Sequence, residues 1–286
     1  MVEFDRQVAG EQKQAVNVLV VDWQKTGEAF GDTVDMGNQR WAQTLAKLAE
    51  DENWNYKINP SKDPYHILRS YLKYTFLRLD ELPGHVVTSK DGSMLSFNTG
   101  LVTPFQEQIF ATFRARQPAE KGPPWVLDAF EKESSRRVLG GFGGNIPPLA
   151  HYFDSATQLV FDVALPLKVN VEHVPHDPAR FPPALNPLTP TDLAALVNAK
   201  APDAIDRVRR NYKTAIPQFY RDGNTGIGKV QLLLPVALLS RDKVELALAV
   251  DRLESGVYLG KTVLTLDWAY NNARLLTRPD SDWLRP

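Results

Sequence analysis

The spacing of hydrophobic residues changes several times along the chain, and each change predicts a boundary between elements. Residues 38–49 repeat apolar side chains at helical intervals, and residues 65–79 do so again, which predicts two amphipathic helices. At His85 the pattern becomes strand-like. Residues 85–89 and 93–98 therefore predict a β-hairpin around a turn that contains glycine.

The C-terminal half alternates between strand and helix patterns. Residues 158–174 predict two strands that are broken near Pro166. Thr191 can cap a helix that runs to Lys200, and Pro202 suits the first turn of a second helix that ends near Thr214. Three antiparallel strands with short turns then follow, in the segments 229–239, 244–253 and 258–268.

This order of helices, sheet, helices and sheet lacks the regular strand–helix alternation of a doubly wound fold. We therefore predict an α+β fold with a mixed, mostly antiparallel sheet flanked by helices. Residues 1–60 are expected to form an N-terminal extension, in which residues 16–23 read as a short strand or an apolar turn. Residues 61–286 are expected to form a single α+β domain, and no internal repeat is visible in them.

Composition narrows the function classes. The 286 residues are 43% hydrophobic, which is too apolar for disorder. With 33 basic and 34 acidic residues the net charge is −1, so a globally basic nucleic-acid coat is excluded and a polyanion must bind a local patch. The chain has no cysteine, no apolar signal core and no apolar run of membrane-spanning length. We expect a cytoplasmic protein without a membrane segment.

The most polar stretch beside an apolar strand lies near the C-terminus. Asp267 ends the strand, where it can be either the N-cap of a closing helix or an acid–base group. On that helix Tyr270, Asn271 and Arg274 would project together, with Asn272 next to them. These side chains form either a ligand site or a hydrogen-bonded structural network.

Other polar residues are candidates for the same site. Asn98 and Gly100 interrupt the predicted hairpin, and Gln231 lies inside an otherwise apolar strand, where a buried amide needs partners. His173 and Arg180 lie in the segment NVEHVPHDPARF and would supply electrostatic partners. We expect the bend near Asn98 and the C-terminal cluster to border one open hollow.

Three further patterns have plainer explanations. His173, His176 and Asp177 suggest metal ligands, but Pro175 prevents the regular helix that would align them, so no metal site is predicted. The glycine-rich segment 140–148 matches no phosphate-loop spacing and is expected to be a loop. A basic cluster can be either a solvated surface or a polyanion patch; it comprises Arg207, Arg209, Arg210 and Lys213.

The chain resembles a bacterial family, domain of unknown function 3825. The stretches that carry the resemblance include YLKYTFLRL at 71–79, SFNTGLVTPFQEQIFATF at 96–113, LPLKVNVEHVPHDPARFP at 165–182, AIPQFY at 215–220, KVQLLLPVAL at 229–238 and LTLDWAYNNARLLTRPDSDWL at 264–284. Similar domains occur beside RNA-associated modules, so the resemblance implies a role near RNA or nucleotides. It specifies no cofactor.

Three functional hypotheses follow. The first is a domain that binds a nucleotide or RNA, with amides at base edges, Arg274 on phosphate and Tyr270 stacked on a base. The second is an enzyme on a phosphodiester, glycosidic or nucleotide bond, with Asp267 as acid–base group and His173 or Arg180 as its partner. The third is a non-catalytic structural or interaction domain, in which the amides satisfy buried backbone groups.

Overall fold

The computed structural model describes residues 29–38, 40–56, 61–174, 177–222 and 226–285. The predicted strand at 16–23 lies outside these residues. The helices in the described part of the chain are α1 (Ala29–Thr33), α2 (Trp41–Leu48), α3 (His66–Asp80), α4 (Arg136–Phe142), α5 (Pro190–Arg210) and α6 (Leu266–Ala273). None of these helices is both long and apolar enough to cross a membrane.

The strands form two five-stranded sheets. The first has the order β1-β5-β4-β3-β2, from β1 (Val34–Asp35), β2 (Val86–Thr88), β3 (Met94–Val102), β4 (Gln108–Ala115) and β5 (Trp125–Lys132). The second has the order β6-β10-β9-β8-β7, from β6 (Leu167–Val169), β7 (Ile216–Arg221), β8 (Gly228–Val236), β9 (Leu246–Arg252) and β10 (Tyr258–Thr265).

Both sheets have the same topology. In each, a short first strand lies parallel to the last strand, and the other neighbours are antiparallel. The predicted α+β class and the mixed, mostly antiparallel pairing are confirmed, with the strands divided between two sheets. A repeated topology without a visible sequence repeat is physically reasonable, because many sequences satisfy the same alternation of apolar residues.

Helices fill the space between the two sheets and cover the far side of the second one. Helix α3 packs on β3, α6 packs on β7, β9 and β10, and α3 contacts α6. Alternation in β8 directs Leu233 into this shared core, whereas Leu232 and Leu234 face a second core under α5. The second sheet is therefore apolar on both faces where helices cover it.

The described residues before position 61 share the main core. Helix α2 contacts α3, and Trp54 and Tyr56 are buried in the same cluster. The boundary between an extension ending at residue 60 and a domain starting at residue 61 stays a prediction.

Helix α5 is continuous, so the predicted pair of helices broken at Pro202 is wrong. Its N-cap is Thr189, two residues before the expected Thr191, and Thr189 and Asp192 form a capping box. Pro202 lies inside the helix on the exposed side, while the apolar stripe continues through it from Val197 to Ala204. Burial of that stripe outweighs the hydrogen bond that proline removes.

The two strands predicted in residues 158–174 are reduced to β6. Before β6 the chain forms a 3₁₀ turn at Ala156–Leu159 and then a tight turn, in which Asp162 accepts a hydrogen bond from Ala164 N at 3.0 Å. The alternation of apolar residues before Pro166 led to the wrong prediction of a strand, because only Phe161 in the segment 159–165 is deeply buried.

Candidate functional site

An open cleft of about 420 Å³ lies on the second sheet beside α6. Strands β7, β8 and β10, the end of α3 and the 3₁₀ turn at Pro178–Arg180 contribute to its walls. Its lining is basic and aromatic, with Arg78, Arg180, Arg221, Lys229, Lys261, Tyr74, Phe219, Tyr220 and Trp268. Asp222 is the one carboxylate among its described lining residues.

Amides form the floor of the cleft. Asn272 Nδ2 donates to Gln218 Oε1 at 3.1 Å, and Gln218 Nε2 donates to Gln231 Oε1 at 2.8 Å. Gln231 Nε2 then donates to Asp251 Oδ1 at 2.7 Å. Because Gln218, Gln231 and Asp251 are almost fully buried, this chain of bonds fixes which atom each amide presents.

Asp251 ends this hydrogen-bonded chain and anchors two lysines. Lys229 Nζ lies 2.7 Å and Lys261 Nζ 3.1 Å from Asp251 Oδ2. Burial alone would raise the pKa of the Asp251 carboxyl, but hydrogen bonds from Lys229, Gln231 and Lys261 outweigh it and hold that pKa below its usual value. One carboxylate thus serves two cations, each of which is partly exposed to the cleft.

On the opposite side of the cleft, two arginines likewise share one glutamate. Arg78 and Arg221 both contact Glu81, Arg78 through Nη1 at 3.0 Å. Arg78 also donates through Nε to the His151 carbonyl at 2.7 Å. Burial raises the pKa of nearby Asp80 to about 6, although Arg221 favours its charged form. Near neutral pH Asp80 is therefore mainly ionised, so Asp80 and Glu81 together balance the charges of Arg78 and Arg221.

Trp268 and Arg180 form the third side. Trp268 is 51% exposed, and the Arg180 guanidinium lies 5.1 Å from the centre of its ring. Arg180 is held by Thr262 Oγ1 at 3.1 Å, the Val263 carbonyl at 3.0 Å and Asp177 Oδ2 at 3.2 Å. A large aromatic face is therefore presented to the cleft beside a fixed cation.

Four of the residues predicted from the sequence line this cleft, namely His173, Arg180, Gln231 and Asn272. The sequence reasoning missed Gln218, Asp251, Lys229, Lys261 and Trp268. A signal was present for two of them, because Gln218 and Asp251, like Gln231, are polar residues within largely apolar strands. The lysines and Trp268 are ordinary surface residues by sequence and become a site only through folding.

Tyr270 and Arg274 lie in an internal network. Arg274 donates to both oxygens of Glu52, at 2.6 and 2.8 Å, and Tyr270 Oη lies 3.4 Å from Glu52 Oε1. Burial acts to lower the pKa of Arg274, but the Glu52 hydrogen bonds and nearby Tyr71 outweigh it, so this pKa lies above its usual value. The Arg274 guanidinium also packs 4.6 Å from the Tyr71 ring centre and 5.3 Å from that of Trp54.

Asn98 and Gly100 form a bulge in β3. Asn98 Nδ2 donates to Gln108 Oε1 at 2.7 Å, and Asn98 Oδ1 accepts from Gly100 N at 2.9 Å. Gly100 has φ +75°, and its backbone lies against the Tyr71 hydroxyl. The bulge and the Arg274 network thus meet at Tyr71, which is buried, and neither lines the described cleft.

Asp267 and Asn271 occupy another side of α6. Thr265 is the N-cap, so the alternative in which Asp267 caps the helix is wrong; Asp267 lies in the first turn. It does not line the cleft, and its charge acts on the pKa of Tyr56, which burial raises to about 12. Asn271 Nδ2 donates to the Asp267 carbonyl at 3.1 Å, and its buried Oδ1 has no described partner.

The remaining candidates are the histidine–aspartate group, the glycine-rich segment and the basic cluster. The described residues contain no group of three histidine or acidic side chains arranged to hold a metal, and His176 lies outside them. The glycine-rich segment starts inside α4, with Gly143 as its C-cap. In the basic cluster, Arg209 at the end of α5 pairs with Asp206 at 2.9 Å. Lys213, which follows α5, pairs with Asp280 at 3.4 Å.

Comparison with known proteins places the chain in a family. The family model described as Domain of unknown function (DUF3825) matches residues 45–283. The chain belongs to the DUF3825 family. The matched region contains every residue of the cleft, as well as Glu52 and Arg274. No curated protein and no solved structure matches the chain significantly.

Proposed function

We propose that the cleft binds a nucleotide, either free or as a unit of an RNA strand. The observation that carries this proposal is the exposed Trp268 face beside Arg180, in a cleft with four further basic side chains and an amide floor. A nucleotide combines the features that these groups recognise, namely a flat base, polar base edges and a phosphate.

Charge favours an anionic ligand beside the two lysines. Lys229 and Lys261 share Asp251, so this pair retains one positive charge beyond its carboxylate. Arg78 and Arg221 are balanced by Glu81 and Asp80. A phosphate between such cations gains charge-assisted hydrogen bonds without displacing the existing ones. Arginine suits bidentate contact with phosphate oxygens, and lysine acts as a point charge.

The floor favours a ligand with polar edges. Asn272 uses Nδ2 to reach Gln218, which leaves Asn272 Oδ1 without a partner among the described residues. This oxygen lies on the helix side of the cleft, one helical turn from Trp268. A base stacked on Trp268 would therefore present its edge toward a fixed acceptor. The proposed ligand class and the absence of cysteine also support a cytoplasmic location.

Calorimetric titration of the purified protein with the four ribonucleoside 5′-monophosphates and the matching nucleosides tests this function. We expect monophosphates to bind more tightly than nucleosides, with an affinity that falls as salt rises. Trp268→Ala should weaken binding roughly 5- to 160-fold, because stacking on an aromatic contributes about 1–3 kcal/mol per base. Lys261→Gln should reduce the salt dependence.

Two matched variants control for non-specific effects. Phe105→Ala removes an aromatic side chain that is 85% exposed outside the cleft, and Arg209→Gln removes an exposed cation on α5. Neither should change nucleotide affinity more than about twofold, as expected for surface sites without ligand contact. The proposal is abandoned if no monophosphate binds, or if Trp268→Ala and Phe105→Ala behave alike.

A further inference from the structure

The chain of amides in the cleft floor has a direction, and Asp251 sets it. Lys229 Nζ and Lys261 Nζ lie 2.7 and 3.1 Å from Asp251 Oδ2, and these two ammonium groups keep the carboxylate ionised. An ionised carboxylate accepts hydrogen bonds and donates none. Gln231 must therefore turn its Nε2, and not its Oε1, toward Asp251 Oδ1, to which it donates at 2.7 Å.

This orientation passes from one amide to the next. Because Gln231 turns Nε2 to the carboxylate, its Oε1 faces Gln218 and accepts from Gln218 Nε2 at 2.8 Å. Gln218 Oε1 in turn accepts from Asn272 Nδ2 at 3.1 Å. Rotating one amide alone by 180° would oppose two oxygens or two N–H groups, and a buried hydrogen bond left unmade is costly. The free end of the chain is therefore the Asn272 oxygen.

Asn272 Oδ1 is also the end of the chain that a ligand can reach. Gln218 is fully buried and Gln231 almost so, whereas Asn272 is partly exposed and lines the cleft. Among the described residues Oδ1 has no partner, and it is not one of the buried side-chain atoms that lack a partner, so it is open to the cleft. Trp268 lies one helical turn away on the same side of α6, within reach of the same base.

We infer that the cleft selects bases that carry an exocyclic amino group, namely adenine and cytosine, an inference that rests on the proposed nucleotide-binding function. Asn272 Oδ1 accepts from that amino group, and Gln218 and Gln231 are positioning residues that keep the oxygen in place. Hypoxanthine and uracil carry a keto oxygen where adenine and cytosine carry the amino group. Two acceptors would then face each other, and the Asn272 oxygen would stay unpaired.

Calorimetric titration with two matched pairs of 5′-monophosphates tests the inference. The pairs are adenosine with inosine and cytidine with uridine, and each pair exchanges an amino group for a keto group. We expect the amino member to bind about 3- to 10-fold more tightly, the gain from one hydrogen bond at a partly exposed site. Purine riboside 5′-monophosphate, which lacks the amino group, should also bind more weakly than adenosine 5′-monophosphate. A pair whose members differ less than twofold, or whose keto member binds more tightly, overturns the inference.

Asn272→Ala tests the contact directly. Removal of the acceptor should bring the affinities of the two members of each pair within about twofold of each other. Asn271→Ala is the matched control, because Asn271 is the adjacent asparagine on α6 and does not line the cleft. It should keep the preference for the amino bases. If Asn272→Ala keeps that preference as well, the assigned contact is overturned.

Gln218→Leu tests the positioning role without touching Asn272. The Asn272 amide loses the partner that orients it and is free to rotate, so the preference should fall below about twofold. Gln108→Leu is the control, because Gln108 accepts from Asn98 and donates to Glu133 in a comparable chain on the first sheet. It should leave the preference unchanged. An unchanged preference in folded Gln218→Leu overturns the positioning role.

Asp251→Asn gives a readout that a loss of stability would not produce. Lys229 and Lys261 donate to one side of residue 251, so the introduced asparagine places its oxygen there and its Nδ2 toward Gln231. Every amide of the chain then reverses, and Asn272 presents Nδ2. The preference should invert, so that inosine and uridine 5′-monophosphates bind about 3- to 10-fold more tightly than their amino partners. A preference that is unchanged or only disappears overturns the role of Asp251.

Failure of this inference is distinguishable from failure of the proposed function. If monophosphates bind and Trp268→Ala weakens them, but amino and keto bases bind alike, nucleotide binding stands and the base selection is overturned. If none of the monophosphates binds, both proposals are overturned together.

Discussion

At Gly100, backbone conformation and packing act on the same residue. Its φ of +75° is a region that side chains with a Cβ rarely adopt, and a Cβ placed there would lie 2.4 Å from Tyr71 Oη. The bulge at this glycine allows β3 to pass Tyr71 on α3 while Asn98 satisfies the Gly100 amide. Gly100 therefore supports the packing of α3 on the first sheet.

Gly100→Ala is expected to lower the free energy of unfolding by about 2–4 kcal/mol, from left-handed strain and overpacking together. In a Tyr71→Phe background the same change should cost roughly 1 kcal/mol less, because the contacting hydroxyl is gone while the strain remains. Urea unfolding of the four proteins measures both numbers. Equal costs in the two backgrounds would contradict the proposed clash.

At the scale of elements, α6 divides its residues between two environments. Trp268 and Asn272 are four positions apart, share one side of the helix and line the cleft. Tyr270 and Arg274 share another side and reach Glu52 in the interior. The polar character of this segment was recognisable in the sequence, but which stripe faces the ligand depends on what packs against each side.

Helix α5 gives the second element-scale prediction. Pro202→Ala should raise the free energy of unfolding by about 1–3 kcal/mol, because it restores the hydrogen bond to the exposed Asn198 carbonyl in a continuous helix. Thermal or urea unfolding measures the change. Pro190→Ala in the first turn is the matched control and should have little effect. A loss of stability in Pro202→Ala would contradict this prediction.

At the scale of the molecule, Glu52 and Arg274 join distant parts of the chain. Glu52 lies between α2 and α3, ahead of four of the five strands of the first sheet, whereas Arg274 follows the second sheet. Both side chains are nearly buried, so their bidentate pair closes the core from the two ends of the family domain. The pair was unforeseeable from the sequence, because 222 positions separate its members.

Arg274→Ala is expected to lower the free energy of unfolding by about 3–5 kcal/mol, since it leaves the Glu52 carboxylate buried without its partner. Arg209→Ala, which breaks an exposed pair with Asp206, should cost under about 1 kcal/mol. Urea unfolding compares the two. Nucleotide affinity of the folded Arg274→Ala protein should stay within about twofold of the parent. Normal stability with lost binding would instead make Arg274 a ligand contact.

The sequence by itself determined the local elements and the fold class. Strand alternation, helical periodicity and turn residues are short-range properties, so both amphipathic helices, the hairpin and the three C-terminal strands were predictable. Where local signals conflicted, burial of apolar side chains determined the structure. At Pro202, burial of the apolar stripe of α5 keeps the helix continuous. Only the tertiary structure decided the site. Lys229, Lys261, Trp268 and Arg78 acquire a shared role because sheet pairing and the α3–α6 contact bring separate segments to one cleft.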